Sequence, residues 1–311
     1  MAKERRFCVT GAGGFVASWL VKLLLSKGFV IRLLISDDPK NVHLKRLENV
    51  ENLKLFKAHL LDCESLSAAI AGCEGVFHAA CPVLLETIPD PEADMIRPAV
   101  DGTLNVLKAC SEAKVRRVVL VSSVVAVVWN PNWPFDKLMD ENRWSDKELC
   151  RKTEVTLWYA FAKTVAEEKA FDYSKSSGLD VVVVCPPLII SPILQPIVNT
   201  IGQRMSLMTS HIQYLVDVGD VADALLLVYE KPEASGRYVC CSYYIKTCDL
   251  LGKLKSMYPN FPYPDFPYEA KPYHQMGAEK LKQLGWNYMT LEESIRDNVE
   301  DILEKNLLDV N

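Results

Sequence analysis

Short β-branched runs recur through the first 190 residues, at 6–9, 30–35, 53–56, 75–78, 118–121 and 179–184, and helical patterns at 15–26, 65–71, 91–112 and 153–176 fill most of the gaps. No other feature of the chain narrows its fold as far. A strand that is apolar at every residue has to be covered on both faces, and a helix between two such strands supplies the crossover that a parallel pair needs. Such crossovers are right-handed. The pattern predicts an α/β fold with a doubly wound, parallel, Rossmann-like sheet and ligands at the carboxyl ends of its strands. A chain of 311 residues, 49% of them hydrophobic, has ample material for that core.

After Pro186 the rhythm changes. Prolines fall at 186, 187, 192 and 196 and again between 259 and 272, while helices are predicted at 217–231, 248–257, 277–284 and 290–306 and a strand at 236–241. The expected division is a dinucleotide-binding domain over 1–187, with 216–241 returning to it, and a smaller C-terminal substrate lobe from 188–215 and 242–311.

The net charge is −5 and the longest basic stretches, 3–6 and 116–117, are short, which argues against a nucleic-acid partner. Ten cysteines lie without C-x-x-C spacing and five histidines never pair at metal-ligand spacing, so reduced thiols and no metal site are expected. The N-terminus lacks a signal-peptide core, and the most apolar stretches, 118–129 and 181–190, fall short of the ~20 residues of a membrane helix. A cytoplasmic protein without membrane contact is expected.

Val9-Thr10-Gly11-Ala12-Gly13-Gly14-Phe15-Val16-Ala17 follows the first strand and opens the first helix. Glycines at 11 and 14 allow a tight turn and a close backbone approach, Ala17 lets helix pack on strand, and free N–H groups with the positive helix end face an anion. The strand before and the amphipathic helix after make this a dinucleotide-binding turn rather than a merely structural one.

Tyr159 is the one tyrosine with a lysine four residues on, Lys163, and that spacing stacks both side chains on one helical face. A phenol of ordinary pKa ~10 transfers protons poorly at neutral pH. A neighbouring ammonium favours the phenolate and lowers that value, and Lys163 can also reach a ribose hydroxyl. Ser122-Ser123 ends the strand at 118–121, where a hydroxyl faces the ligand crevice. Alone it is a turn residue; with Tyr159 and Lys163 it can hold a substrate carbonyl against the phenol.

Together these residues resemble the plant cinnamoyl-CoA reductase-like family of extended short-chain dehydrogenases, whose relatives include dihydroflavonol and phenylacetaldehyde reductases. The resemblance spans nearly the whole chain, through the glycine turn, Gly75-Val76-Phe77-His78-Ala79-Ala80, Gly102-Thr103-Leu104-Asn105, Trp158-Tyr159 with Lys163, Leu194-Gln195-Pro196, Asp220-Val221-Ala222 and Gly236-Arg237-Tyr238. It implies an NADP(H)-dependent reduction of a thioester, aldehyde or ketone carbonyl, with Tyr159 protonating the oxygen, Ser123 polarising the carbonyl and Lys163 tuning the tyrosine. For the cofactor it implies Gly11, Ala12, Gly13, Gly14, Phe15 and Val16 at the pyrophosphate, Lys40 near the 2′-phosphate, and His59 with Leu60 at the adenine. Ala79, Ala80 and Cys81 fall under the ribose, and Pro186 to Ile189 beside the nicotinamide. It also implies a monomer acting on a small-molecule carbonyl substrate.

Some positions depart from the family. Ser36-Asp37-Asp38 replaces the usual arginine after the second strand, which leaves Lys40 and keeps NAD open as cofactor. His59 stands where the family usually has aspartate. Ala160 replaces the family partner of Cys150, which excludes a disulfide there, and Ala160-Phe161-Ala162 looks closer to the aldehyde and ketone reductases than to the true cinnamoyl-CoA reductases. The segment 199–210 lacks the His and Lys expected for CoA and keeps only Arg204. The altered 2′-phosphate segment and His59 motivate an alternative, a degenerate relative that binds nucleotide weakly or not at all and acts through a partner. Substrate choice is expected to lie in 82–98, 129–144 and 189–214. His78 is read as a satisfied core histidine and Asn105 as a hydrogen-bonding partner of nearby backbone.

Overall fold

The computed structural model describes residues 4–35, 39–83, 89–152, 156–190, 192–195, 212–263 and 273–305, without side chains at 35, 39, 40 and 156. Seven strands form one parallel sheet: β1 (Arg6–Thr10), β2 (Val30–Ile35), β3 (Leu53–Lys57), β4 (Gly75–His78), β5 (Arg117–Val121), β6 (Val181–Cys185) and β9 (Gly236–Val239). Their order is β3-β2-β1-β4-β5-β6-β9, so the chain winds outward from β1 in both directions. The register sets Cys8 beside Arg32 and Val76, and Val119 beside Val182 and Phe77.

Both faces of the sheet are buried, which is why its strands read as continuous apolar runs. Phe7 and Val9 of β1, Val119 and Val121 of β5 and Val182 and Val184 of β6 pack on one side, under α1 (Phe15–Ser26) and α7 (Val218–Glu230). Cys8, Val118, Leu120, Val181 and Val183 point the other way, toward α2 (Cys63–Ile70), α3 (Arg97–Glu112) and α6 (Thr156–Ser177). Alternate side chains of one strand thus feed two separate cores.

The helix expected at 91–112 is divided. A π-helical turn over Glu92–Ile96 precedes α3. Pro98 lies at the start of α3 and has no N–H to give to a carbonyl one turn back, so the regular ladder begins there rather than earlier. Two short helices, α4 (Val125–Val128) and α5 (Lys147–Lys152), interrupt the path from β5 to α6.

A second, three-stranded sheet has the order β10-β8-β7, from β7 (Leu188–Ile190), β8 (Ile212–Asp217) and β10 (Tyr243–Lys246). β7 runs parallel to β8 and β10 antiparallel to it. α8 (Thr247–Met257), α9 (Glu279–Gln283) and α10 (Leu291–Glu304) complete the C-terminal part, and Leu215, Leu250, Leu291 and Ile295 share one core there. α10 opens on a capping box in which Thr290 and Glu293 satisfy each other's backbone N–H. Among the described residues, no helix is long and apolar enough to cross a membrane.

Candidate active site

The glycine turn leaves β1 at its carboxyl end. Gly11 has φ +68°, and a Cβ built on it would lie 2.7 Å from the Ala80 Cα. The Gly14 N–H donates to the Gly11 carbonyl at 2.9 Å, which closes the turn. Gly14 is the N-cap of α1; no side chain caps it, and the first turn carries no acid. The first-turn N–H groups and the positive helix end are therefore left for an outside anion. Ala12 and Gly13 are buried, Phe15 and Val16 half-buried and Gly14 exposed, so the backbone of this stretch meets the crevice at its rim. These features fit a dinucleotide pyrophosphate. Below the turn, Ser18 donates to the Gly14 carbonyl at 2.8 Å and lies 2.8 Å from His43 Nε2. Gly11→Ala should lose ~1–2 kcal/mol to the left-handed φ alone and more to the Ala80 contact. A Tm lowered by roughly 5 °C, with nucleotide binding lost in a calorimetric titration, is the expected result.

A buried chain of hydrogen bonds fixes the neighbouring strand end. Thr103 Oγ1 donates to the Ala99 carbonyl at 2.6 Å, so its oxygen accepts from His78 Nε2 at 3.1 Å. His78 Nδ1 is then the acceptor for the Thr10 hydroxyl at 2.7 Å, and Thr10 Oγ1 takes the Ala80 N–H at 3.1 Å. Burial first, and then the Lys163 charge, push the His78 pKa down to about 3. His78 is thus a neutral core histidine with both nitrogens used. It locks β1 to β4 and holds Ala79, Ala80 and Cys81 against the glycine turn.

Tyr159 and Lys163 lie one turn apart on α6, with the ammonium 5.9 Å from the ring centroid. Lys163 is buried, and its Nζ donates to the Val121 carbonyl at 3.0 Å, the last of β5. Ser123 follows two residues later, and its side chain hydrogen-bonds that of Tyr159. Burial pushes the Tyr159 phenol above its ordinary value, while Lys163 and Ser123 pull against that shift. Burial opposes the charge on Lys163, but Cys81, Tyr159 and Glu167 outweigh it and hold the ammonium above its usual range. The Cys81 sulfur itself accepts from Lys163, so this residue meets the amine and not only the ribose position assigned to it by resemblance.

Beneath this group lies a charge pair that the sequence reading did not single out. Glu167, four residues beyond Lys163 on the same helix, accepts from the Ser122 hydroxyl and from Arg237 Nε at 2.6 Å. Arg237 of β9 also donates to the carbonyls of Ala126 (3.2 Å), Glu141 (3.1 Å) and Arg143 (2.9 Å), and stacks on Trp144 at 3.7 Å. The pair joins α6, the end of β5 and the loop after α4. Its signals in the sequence were the repeat of a four-residue step after Lys163 and the Gly236-Arg237-Tyr238 landmark.

Other expected positions fall as follows. His59 is exposed and its ring accepts from the Leu61 N–H at 3.2 Å. The Leu60 carbonyl takes Asn105 Nδ2 at 3.1 Å, so that asparagine serves backbone, as expected. The Pro186 carbonyl accepts the Val124 N–H at 3.0 Å, and Ile189 lies in β7 beside Val216. Cys150 is buried and free. The Lys40 side chain and the stretch holding Arg204 lie outside the described residues. Among the described residues no group of His, Cys, Asp or Glu could hold a metal ion.

A sequence profile of the NAD dependent epimerase/dehydratase family matches residues 7–241. Cinnamoyl-CoA reductase 1 of Petunia hybrida is 43% identical over 97% of this chain and 93% of its own. This chain belongs to that family, on its cinnamoyl-CoA reductase-like branch. Cinnamoyl-CoA reductase 2 of Medicago truncatula is 41% identical over 99% of this chain and 94% of its own. Vestitone reductase from alfalfa superposes with a TM-score of 0.86 over 97% of this chain and 99% of its own, at 30% identity. Membership makes the chain an NAD(P)-dependent oxidoreductase.

Proposed function

We propose that the chain reduces the carbonyl of a small phenylpropanoid-like aldehyde, ketone or CoA thioester, with NADP(H) as cofactor and NAD(H) as the alternative. The observation that carries this reading is the convergence of a phenol, an ammonium and a hydroxyl on one end of β5, beside a glycine turn suited to a dinucleotide. The names of the relatives support the substrate class.

The backbone of Gly11 to Val16 would hold the pyrophosphate, and Lys163 with the 79–81 strand end the ribose. The bound nicotinamide supplies a hydride. Tyr159, kept neutral by burial, donates its proton to the carbonyl oxygen while Ser123 hydrogen-bonds the same oxygen. Lys163 stabilises the phenolate that results and keeps its own charge. The segments 188–215 and 242–311 are read as the lobe that covers the substrate, in a cytoplasmic enzyme.

Calorimetric titration with NADPH and NADH, followed by turnover with cinnamaldehydes, hydroxycinnamoyl-CoA thioesters and small ketones, tests the proposal. Binding of NADPH with oxidation by at least one carbonyl is expected. No heat with either cofactor would instead support a degenerate relative acting through a partner.

A further inference from the structure

Three arginines are buried among the described residues: Arg117, Arg143 and Arg237. Arg117 is paired with Asp180 at 2.7 Å and Arg237 with Glu167 at 2.6 Å. Arg143, only 2% exposed, has no carboxylate partner among the described residues. Its Nη2 donates to the carbonyls of Val128 and Asn130, both at 2.9 Å, but Nε and Nη1 donate to nothing among the described residues.

Capping the end of α4 accounts for Nη2 alone. A cation that only caps a helix end does so from the surface, with its remaining N–H groups in water. Here those groups are taken out of water, and arginine cannot shed its proton to escape the cost. Burial pushes the guanidinium below the ordinary arginine range, and only Tyr214 opposes that push.

The backbone contacts of Arg143 tie it to the segment that follows Ser123. Arg143 holds the end of α4, the short helix that starts directly after Ser123. Its guanidinium lies 5.8 Å from the Trp133 ring centroid. Tyr214 of β8 packs on the cluster of Val124, Val127 and Met276, and its hydroxyl donates to the His274 carbonyl at 2.7 Å. Both Tyr214 and His274 feel the Arg143 charge, and burial with that charge holds His274 below its ordinary value, so it adds no second cation.

We infer that Arg143 is an oxyanion subsite in the substrate wall, and that the carbonyl compounds this chain prefers carry a carboxylate at the end remote from the reacting carbon. The inference rests on the reductase reading above and adds the substrate's charge to it. Nη1 brings two donors and Nε one, with Trp133 beside them for the apolar body of the ligand.

The test compares 4-carboxybenzaldehyde and 4-carboxycinnamaldehyde with their methyl esters, in NADPH-dependent turnover by wild type and Arg143→Met. The expected carboxylate-to-ester ratio of kcat/KM is about tenfold or more in wild type and falls to near one in Arg143→Met. Should that variant fail to fold, Arg143→Gln keeps a donor for the Val128 and Asn130 carbonyls without the charge, and the same collapse is expected. A wild-type ratio near or below one, or a ratio that survives either substitution, overturns the inference. If none of the four aldehydes is reduced, turnover of the cinnamaldehydes, thioesters and ketones named above decides whether the reductase reading itself has failed. Calorimetric binding of the same four compounds to the NADPH-loaded protein then decides the subsite. Tighter carboxylate binding that Arg143→Met abolishes supports it, and equal binding overturns it.

Discussion

Tyr159→Phe is expected to lower kcat for carbonyl reduction by roughly 10²–10⁴-fold, the usual worth of a positioned general acid, while weakening NADPH binding by less than about tenfold. The ring stays, so packing against Met95, Ala99 and Ala162 is kept. What leaves is the proton donor and the oxygen that Ser123 addresses. The pH dependence carries a sign that separates this role from a packing role. Burial raises the phenol, so at neutral pH it is in its acid form. Reduction should be flat through neutrality and fall as pH rises through that elevated value; alcohol oxidation, which needs the phenolate, should climb over the same range. Removing the ammonium with Lys163→Met takes away the largest influence that lowers the phenol, so the oxidative limb should move to still higher pH. Initial rates in both directions, with cofactor affinity measured separately, check this. Tyr159→Phe protein that keeps more than about a tenth of wild-type kcat would remove the phenol from the mechanism.

The framework was legible because its physics is local or periodic. Phe7, Cys8 and Val9 are apolar in sequence because one strand serves two cores, and that run announces a doubly covered sheet. The turn at Gly11 needs a positive φ and a missing Cβ, requirements that glycine alone meets cheaply. Tyr159 and Lys163 share a helix face, so their meeting follows from spacing. β7, β8 and β10 were not foreseen: β7 has only three residues between prolines, and β10 passes directly into α8, so neither offers a run long enough to show a period. Glu167 and Arg237 are 70 residues apart, so the step after Lys163 and the 236–238 landmark mark each residue without showing that the two meet. The same holds for Arg143, whose unusual burial depends on how three separate segments close around it.

Arg237→Met should destabilise the fold more than any single change at Ser123, Tyr159 or Lys163, by about 3–5 kcal/mol, because it strands a fully buried carboxylate. The carbonyls of Ala126, Glu141 and Arg143 lose their donor in the same stroke. A Tm lowered by roughly 5–8 °C follows for a chain of this size. Glu167→Gln is expected to be far milder, since its amide oxygen still accepts from Arg237 and no unpaired anion remains. The pair is not a net gain over an apolar core: burial leads the effects on Glu167 and leaves its carboxyl above the ordinary value despite Arg237. Linkage then runs in a definite direction. An acid whose folded value is raised binds more protons in the native state, so its contribution to stability declines as pH rises from the ordinary carboxylate range through the raised value. Loss of Arg237 raises that value further, and the damage in Arg237→Met should therefore be smaller near pH 5 than near pH 8. Thermal unfolding of both variants at the two pH values decides the matter. A Tm for Arg237→Met within about 2 °C of wild type at the higher pH would mean that the Glu167 carboxylate finds water or another partner, and that the clamp between α6, β9 and the loop after α4 bears little of the fold's stability.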